Sequence, residues 1–201
     1  MQTGIGICDA AQLTDRIINT RASGLISIGT AGGLKPDLQP GTLLLPRCVR
    51  HINGKNFATD PDWRARVHTA LESTDRVQAG DLLSVTDVAR HPDQKSSLYR
   101  ETQAIGVDME SAGLAEIAAH AGLPFLVLRV VMDTAGDEIP KAASASISET
   151  GDMRSIALLR YLAGHISDIR GMLWALRRFQ NAAASLRDAC RMAHNELLRP
   201  R

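Results

Sequence analysis

Apolar residues recur along this chain first at helical spacing, then in short runs punctuated by glycine and proline. Leu13, Ile17 and Ile18 share one face behind Asp9 and ahead of Gly24, which predicts a capped helix from about Ala10 to Arg21. "GLISIG" then opens into "TAGGLKPDLQPG", the pattern of a buried strand feeding a tight glycine-rich loop. "TLLLPRCVRH" predicts another strand, with Pro46 marking a bulge or an edge. Pro61 and Asp62 open a helix through "WRARVHTALES". "RVQAGDLLSV" reads as strand, "DQKSSLYRET" as helix, and "AIGVDM" as a strand entering the helix "ESAGLAEIAAHAG". "PFLVLRVVMD" is so nearly continuous in apolar character that it predicts a strand covered on both faces. "EIPKAASASISETGD" reads as a loop, and two helices follow from about Met153 and Ile169. In the second, Met172, Ala175, Leu176, Phe179, Ala182, Ala183, Leu186, Cys190 and Ala193 form an amphipathic stripe.

Strands alternating with helices predict an α/β fold with parallel or mixed pairing and right-handed crossovers. Ligands of such sheets sit beyond the carboxyl ends of the strands. That rule draws Thr30, Glu110 and Asp133 to one cleft, since each follows a predicted strand. The 201 residues, 44% hydrophobic and 22% charged, suit one domain over 1–201 with a helical C-terminal extension at about 152–197. Aromatics are only 3%, so the core is aliphatic, as expected of helices packed on a sheet.

Charge and cysteine usage narrow the function classes. The net charge of +1 gives no argument for a nucleic-acid partner, although residues 151–201 carry nine Arg against four acids. Cys8, Cys48 and Cys190 are scattered and odd in number, which fits neither a disulfide framework nor a zinc site and points to a reducing cytoplasm. No leader pattern and no apolar run of about 18 residues is present, so neither export nor a membrane span is expected. "GIGICD" offers two glycines of a dinucleotide fingerprint, but Asp9 stands at the third position and would oppose a pyrophosphate. P-loop and nucleophile-elbow motifs are missing, and the six histidines lack metal-ligand spacing, so no metal is expected.

Four segments remain: "SIGTAGGL" at Ser27–Leu34, "LLSVTD" at Leu82–Asp87, "VDMES" at Val107–Ser111 and "LRVVMDTAGD" at Leu128–Asp137. In this order and spacing the chain resembles the purine nucleoside phosphorylase and methylthioadenosine/adenosylhomocysteine nucleosidase superfamily, from about Gly4 to Asp137. The tail from "TGDMRSIALLRYLAGHISDIRG" onward resembles the hopanoid-associated phosphorylase branch. The resemblance implies a three-layer α/β/α fold with a mixed central sheet, in a chain that starts several elements later than its relatives and so lacks their N-terminal strands. It implies cleavage of the N-glycosidic bond of an adenine nucleoside, by phosphorolysis of adenosylhopane or by hydrolysis as in the nucleosidases. An inactive nucleoside-binding or partner-binding module is the reading from a different class.

The implied roles suit the chemistry. Departure of a purine as an anion is difficult, so an acid beside the base helps most. Asp133 matches the residue that donates to purine N7; otherwise it is an aspartate capping the turn at Thr134 or Ala135. Glu110 matches the acceptor of the ribose hydroxyls, against the alternative of a first-turn acid on a helix dipole. Met109 matches a contact on the ribose face, and Asp108 is expected to be a plain helix-start acid. Gly29, Thr30 and Ala31 match the turn beside the nucleophile. Ser84, Thr86, Asp87 and Val88 match the border of the base, though the aromatic common after this stretch in nucleosidases is replaced by Val88-Ala89-Arg90. Ser27 stands where hexameric phosphorylases place a phosphate-holding arginine. No organic cofactor is implied; inorganic phosphate is the expected cosubstrate, and a homo-oligomer the expected assembly. The basic C-terminal helix gives two expectations: its apolar stripe packs on the domain or on a second subunit with Arg170, Arg177, Arg178, Arg187 and Arg191 solvated, or Trp174 and Phe179 face lipid in peripheral contact with the inner membrane surface.

Overall fold

The structure is a computed structural model in which residues 22–139, 169–198 and 200 are described. The expected helix over 10–21, the helix from about Met153 and most of the intervening polar loop lie outside the described residues, as does any shortening of the N-terminal sheet. Among the described residues, eight strands form one mixed sheet: β1 (Leu25–Gly33), β2 (Leu43–Leu44), β3 (Cys48–His51), β4 (Asn56–Ala58), β5 (Val77–Gln78), β6 (Asp81–Ser84), β7 (Gly106–Asp108) and β8 (Phe125–Asp133), in the order β4-β3-β6-β7-β1-β8-β2-β5. Helices α1 (Pro61–Leu71), α2 (Pro92–Thr102), α3 (Ser111–His120), α4 (Ile169–Met192) and α5 (His194–Leu197) flank it.

Two departures from the sequence pattern shape the sheet. "TLLLPRCVRH" is two strands, because Pro46 lacks the N–H needed to continue the ladder. The chain nevertheless stays paired across the break: Leu43 is level with Val77, Leu45 N donates to Gln78 O, Arg47 N donates to Gly80 O, and Cys48 is level with Asp81. Residues 43–51 and 77–84 thus run as two bent partners, one joined to β8 through β2 and the other to β7 through β6. With β1 between β7 and β8, the sheet closes into a five-membered ring.

The second departure concerns the glycines after "GLISIG". They do not turn the chain; β1 continues through Gly33, and none of Gly29, Gly32 or Gly33 has a positive φ. Their value is the absent side chain. A Cβ on Gly106 would lie 2.6 Å from Leu44 Cδ1, and one on Gly32 would lie 3.2 Å from both Val107 Cγ1 and Asp133 Oδ2. Small residues here let flanking strands project bulky groups across β1.

Nearly every residue of β8 is buried, with alternate side chains entering opposite layers, which explains its continuous apolar run. Phe125, Val127 and Val131 pack with Ala112, Ala115 and Ala118 of α3, whereas Leu126, Leu128 and Val130 pack with Trp63, Val67 and Leu71 of α1 and Ala182 and Ala189 of α4. A third cluster sets Leu83 and Val107 against Leu98 and Tyr99 of α2. The layers are therefore helix, sheet, helix, as the resemblance implied. α1 shows the local logic: Asp60 accepts from Trp63 N at 2.7 Å, Pro61 occupies the first turn, and the buried residues are spaced by four.

Candidate active site

Arg129 lies among wholly apolar neighbours on β8, opposite Gly29 of β1. Any side chain at Gly29 would collide with Arg129 Nη1, so the glycine makes room for the guanidinium. Nη2 donates to Ser27 Oγ at 2.8 Å and to Ser111 Oγ at 3.0 Å. It also lies 2.7 Å from Asp108 Oδ2, an ion pair outside hydrogen-bond geometry, and 3.5 Å from Glu110 Oε2. Asp108 is thus the buried counter-charge of Arg129 at the end of β7 as well as the expected acid at a helix start, where it accepts from Ser111 N.

Glu110 is held less firmly, by the single 3.5 Å contact with Arg129. It holds the capping position of α3, yet the first N–H groups of that helix go elsewhere: Ser111 N to Asp108 Oδ1 at 3.4 Å and Ala112 N to Ser84 Oγ at 3.2 Å. Its side chain is 34% exposed. Burial pushes its carboxyl above the ordinary glutamate range; Arg129 pulls it down by less, and Asp108 pushes it up again.

Asp133 closes β8. The register with β1 shifts by one residue between Ala31 and Gly32, so Met132 is an inserted position and Asp133 comes level with Gly32. Only 1% of the residue is exposed. Oδ2 accepts from Lys95 Nζ at 2.5 Å, while Oδ1 is buried with no partner among the described residues. Burial pushes this carboxyl above the ordinary aspartate range, ahead of the downward pull of Lys95. The following turn is capped by Asp137, whose Oδ2 accepts from Thr134 N at 2.8 Å, so Asp133 is not consumed as a cap.

The remaining expected residues divide. Thr30 is half-buried inside β1, not in a loop beyond it, and Met109 is 41% exposed beside Glu110. Ala31 is buried in the core against α3, which removes its side chain from any cleft. Ser84 is buried too, its hydroxyl engaged with the start of α3. Thr86 and Asp87 are exposed and bonded to each other at 3.1 Å, with Val88 half-buried after them. Because β7 runs antiparallel to β1, Glu110 falls level with the middle of β1 near Gly29, not at its carboxyl end. Glu110 and Asp133 are tied to positions four residues apart on β8, about 13 Å along a strand, and the small residues Gly29–Gly33 run beside both.

Lys95 and Arg129 escaped the sequence reading, as did the pairing of Asp108 with Arg129. The signal for Arg129 was present: a lone charge inside a run that must be buried requires a buried partner.

Comparison with known proteins follows the same lines. The family described as Phosphorylase superfamily matches residues 1–164. A 5'-methylthioadenosine/S-adenosylhomocysteine nucleosidase of Marinomonas sp. is 26% identical over 185 residues, covering 82% of this chain and 80% of the relative. A DeoD-type purine nucleoside phosphorylase of Caldanaerobacter subterraneus subsp. tengcongensis is 26% identical over 169 residues, covering 78% of this chain and 72% of its own. In fold, the chain is similar to the S-adenosylhomocysteine nucleosidase of Streptococcus pyogenes in complex with 5-methylthiotubericidin. The TM-score is 0.66 over 98% of this chain and 78% of that one, at 18% identity.

Proposed function

The chain belongs to the phosphorylase superfamily, and from that membership we propose that it cleaves the N-glycosidic bond of an adenine nucleoside. The observation that carries the reading is Asp133: a carboxyl raised by burial, at a strand end, with one oxygen anchored and the other unpartnered. A group in that state holds a proton for a departing base. Glu110 accepts from the ribose hydroxyls, with Met109 against the ribose face. The Gly29–Thr30 stretch and Arg129 lie on the side of the nucleophile.

Two readings of the nucleophile follow. The likeness of the tail to the hopanoid-associated branch supports phosphorolysis of adenosylhopane. Ser27 lacks the phosphate-holding arginine, yet Arg129 brings a guanidinium to that serine from the neighbouring strand. Asp108 and Glu110 both face this one cation, a charge balance that disfavours a further anion and supports water as in the nucleosidases.

Adenine release from 5'-methylthioadenosine, with and without phosphate, is the test. Phosphate-dependent release supports phosphorolysis, and release without it supports hydrolysis. Wild type that binds the nucleoside but releases nothing, with Asp133→Asn unchanged, supports a binding module and ends the catalytic reading.

Peripheral membrane contact belongs to the same proposal. No helix among the described residues is long and apolar enough to cross a membrane. α4 exposes Leu173, Leu176 and Phe179 beside Arg177. Arg178, expected to be solvated, instead lies over the half-buried Trp174 ring at 5.3 Å and 3.5 Å from Asp137, so neither residue is a free lipid contact. Salt-sensitive binding to anionic vesicles that is lost in Arg177→Glu supports this contact; equal binding by the variant removes it.

A further inference from the structure

Lys95 projects from the first turns of α2 and is wholly buried, at 0% exposure. Its neighbours in sequence, "DQKSSLYRET", read as a solvated helix. A buried lysine is costly unless every proton finds an acceptor and the charge a partner. Here both conditions are met: Nζ donates to Asp133 Oδ2 at 2.5 Å, Thr134 O at 2.7 Å and Asp137 O at 2.9 Å. Three donors meet three acceptors, and all three lie on the segment that begins with the candidate acid.

The rest of that segment is held from the same direction. Arg90, just before α2, donates to Ile139 O at 3.3 and 3.1 Å and accepts from Ile139 N at 2.9 Å. The two oxygens of Asp133 are unequal: Oδ2 is fixed from behind, and Oδ1 has no partner among the described residues.

We propose that Lys95 is the positioning residue of the proton donor: it fixes Asp133 Oδ2 to the loop behind it, so that Oδ1 alone carries and delivers the proton. This rests on the reading of Asp133 as the acid. As the glycosidic C–N bond breaks, its electron pair passes to the base, the proton on Oδ1 moves to N7, and an oxygen of water or phosphate bonds to the anomeric carbon. When water attacks, its surplus proton goes to solvent. The base leaves neutral and Asp133 becomes a carboxylate facing the Lys95 ammonium. The pairing therefore strengthens as the transition state is approached, which is the condition for accelerating the step. The other charged groups facing Asp133 are Asp137, which opposes the new charge, and Arg178 of α4, which offsets Asp137.

The test combines a direct titration with kinetics in the full chain. Carboxyl 13C NMR, with Asp133 assigned through Asp133→Asn, reads the titration midpoint in wild type, Lys95→Met, Lys95→Gln and Lys95→Arg. Adenine release from 5'-methylthioadenosine reads kcat, KM and the pH profile. In Lys95→Met and Lys95→Gln the midpoint is expected to rise by about one to three pH units. The alkaline limb of the profile should move the same way, and kcat should fall on the order of 10²-fold with KM little changed. Lys95→Arg should return the midpoint toward wild type while kcat stays low, because a planar guanidinium does not reproduce the three-acceptor geometry. A folded Lys95→Met or Lys95→Gln with an unchanged midpoint overturns the proposal. If both uncharged variants unfold, wild-type kcat in Lys95→Arg overturns it instead. A wild type that releases no adenine removes the glycosidic reading, while the titration still decides whether Lys95 governs Asp133.

Discussion

β8 carries two buried charge clusters, and they are built in opposite ways. Around Arg129 one cation is divided between two acids and two serines, and the outer acid, Glu110, keeps a third of its side chain in solvent. Around Asp133 one acid meets one cation, and that cation is otherwise satisfied by backbone carbonyls. Both carboxyls are raised by burial, so desolvation alone does not distinguish them. The partners do. Glu110 has a loose contact at 3.5 Å and remains able to accept from a ligand, whereas Asp133 has one oxygen locked and one idle. Carboxyls in similar dryness are thus assigned to binding and to proton transfer by how firmly they are held.

The sharpest way to break this contrast is Asp133→Asn, which keeps the shape and removes the proton. It is expected to lower kcat for adenine release by roughly 10²- to 10⁴-fold with little change in KM; retention of kcat removes Asp133 from the chemistry. Next comes Arg129→Met, which leaves Asp108 and Glu110 facing each other with no cation between them. Breaking a buried pair in this way costs about 3–5 kcal/mol, to be read from urea midpoints. A variant as stable as wild type makes the cluster functional rather than structural.

A smaller effect is expected at Glu110, whose side chain is part-exposed and carries no helix cap. Glu110→Gln loses about 1.5–3 kcal/mol of charge-assisted hydrogen bonding to the sugar, roughly a 10- to 100-fold fall in kcat/KM at unchanged stability. The same fall with a 2'-deoxy substrate and wild-type enzyme identifies the hydroxyl concerned.

The smallest effect is on stability against pH. A raised carboxyl binds its proton more tightly in the folded chain than in the unfolded one. Its contribution is complete below the ordinary carboxylate value and is lost as pH rises through the raised folded value. Asp133→Asn removes that loss, so the Tm of the variant minus that of wild type should grow as pH rises from the ordinary carboxylate range through the raised folded value. A difference that shrinks contradicts the assignment of burial as the dominant influence.

How much of this was legible in the residues depends on how local the cause is. The order of strands and helices apart from the edge strand β4, the helix start at Pro61 and the double coverage of β8 follow from neighbours in sequence. The candidate acid could be placed at a strand end for the same reason. Lys95 could not, because its burial depends on residues 38 to 42 positions away returning over α2. The glycine-rich stretch misled for a related reason. Glycine signals either a turn or a close approach, and only the side chains arriving from β7 and β8 decide between them. Pro46 pointed to a bulge or an edge in one strand, whereas the chain breaks into two strands there and stays paired on both sides.

The five-membered ring has a consequence for how such a protein can change. A strand at an open margin can slide or peel, carrying its terminal residue with it, whereas β8 is gripped on both flanks in a closed hoop. Its last residue is an immovable fixture unless the hoop itself opens. New substrates or altered acidity must therefore come from exchanging what leans on that fixture, the neighbouring helices and the chain that follows, and not from shifting the fixture itself.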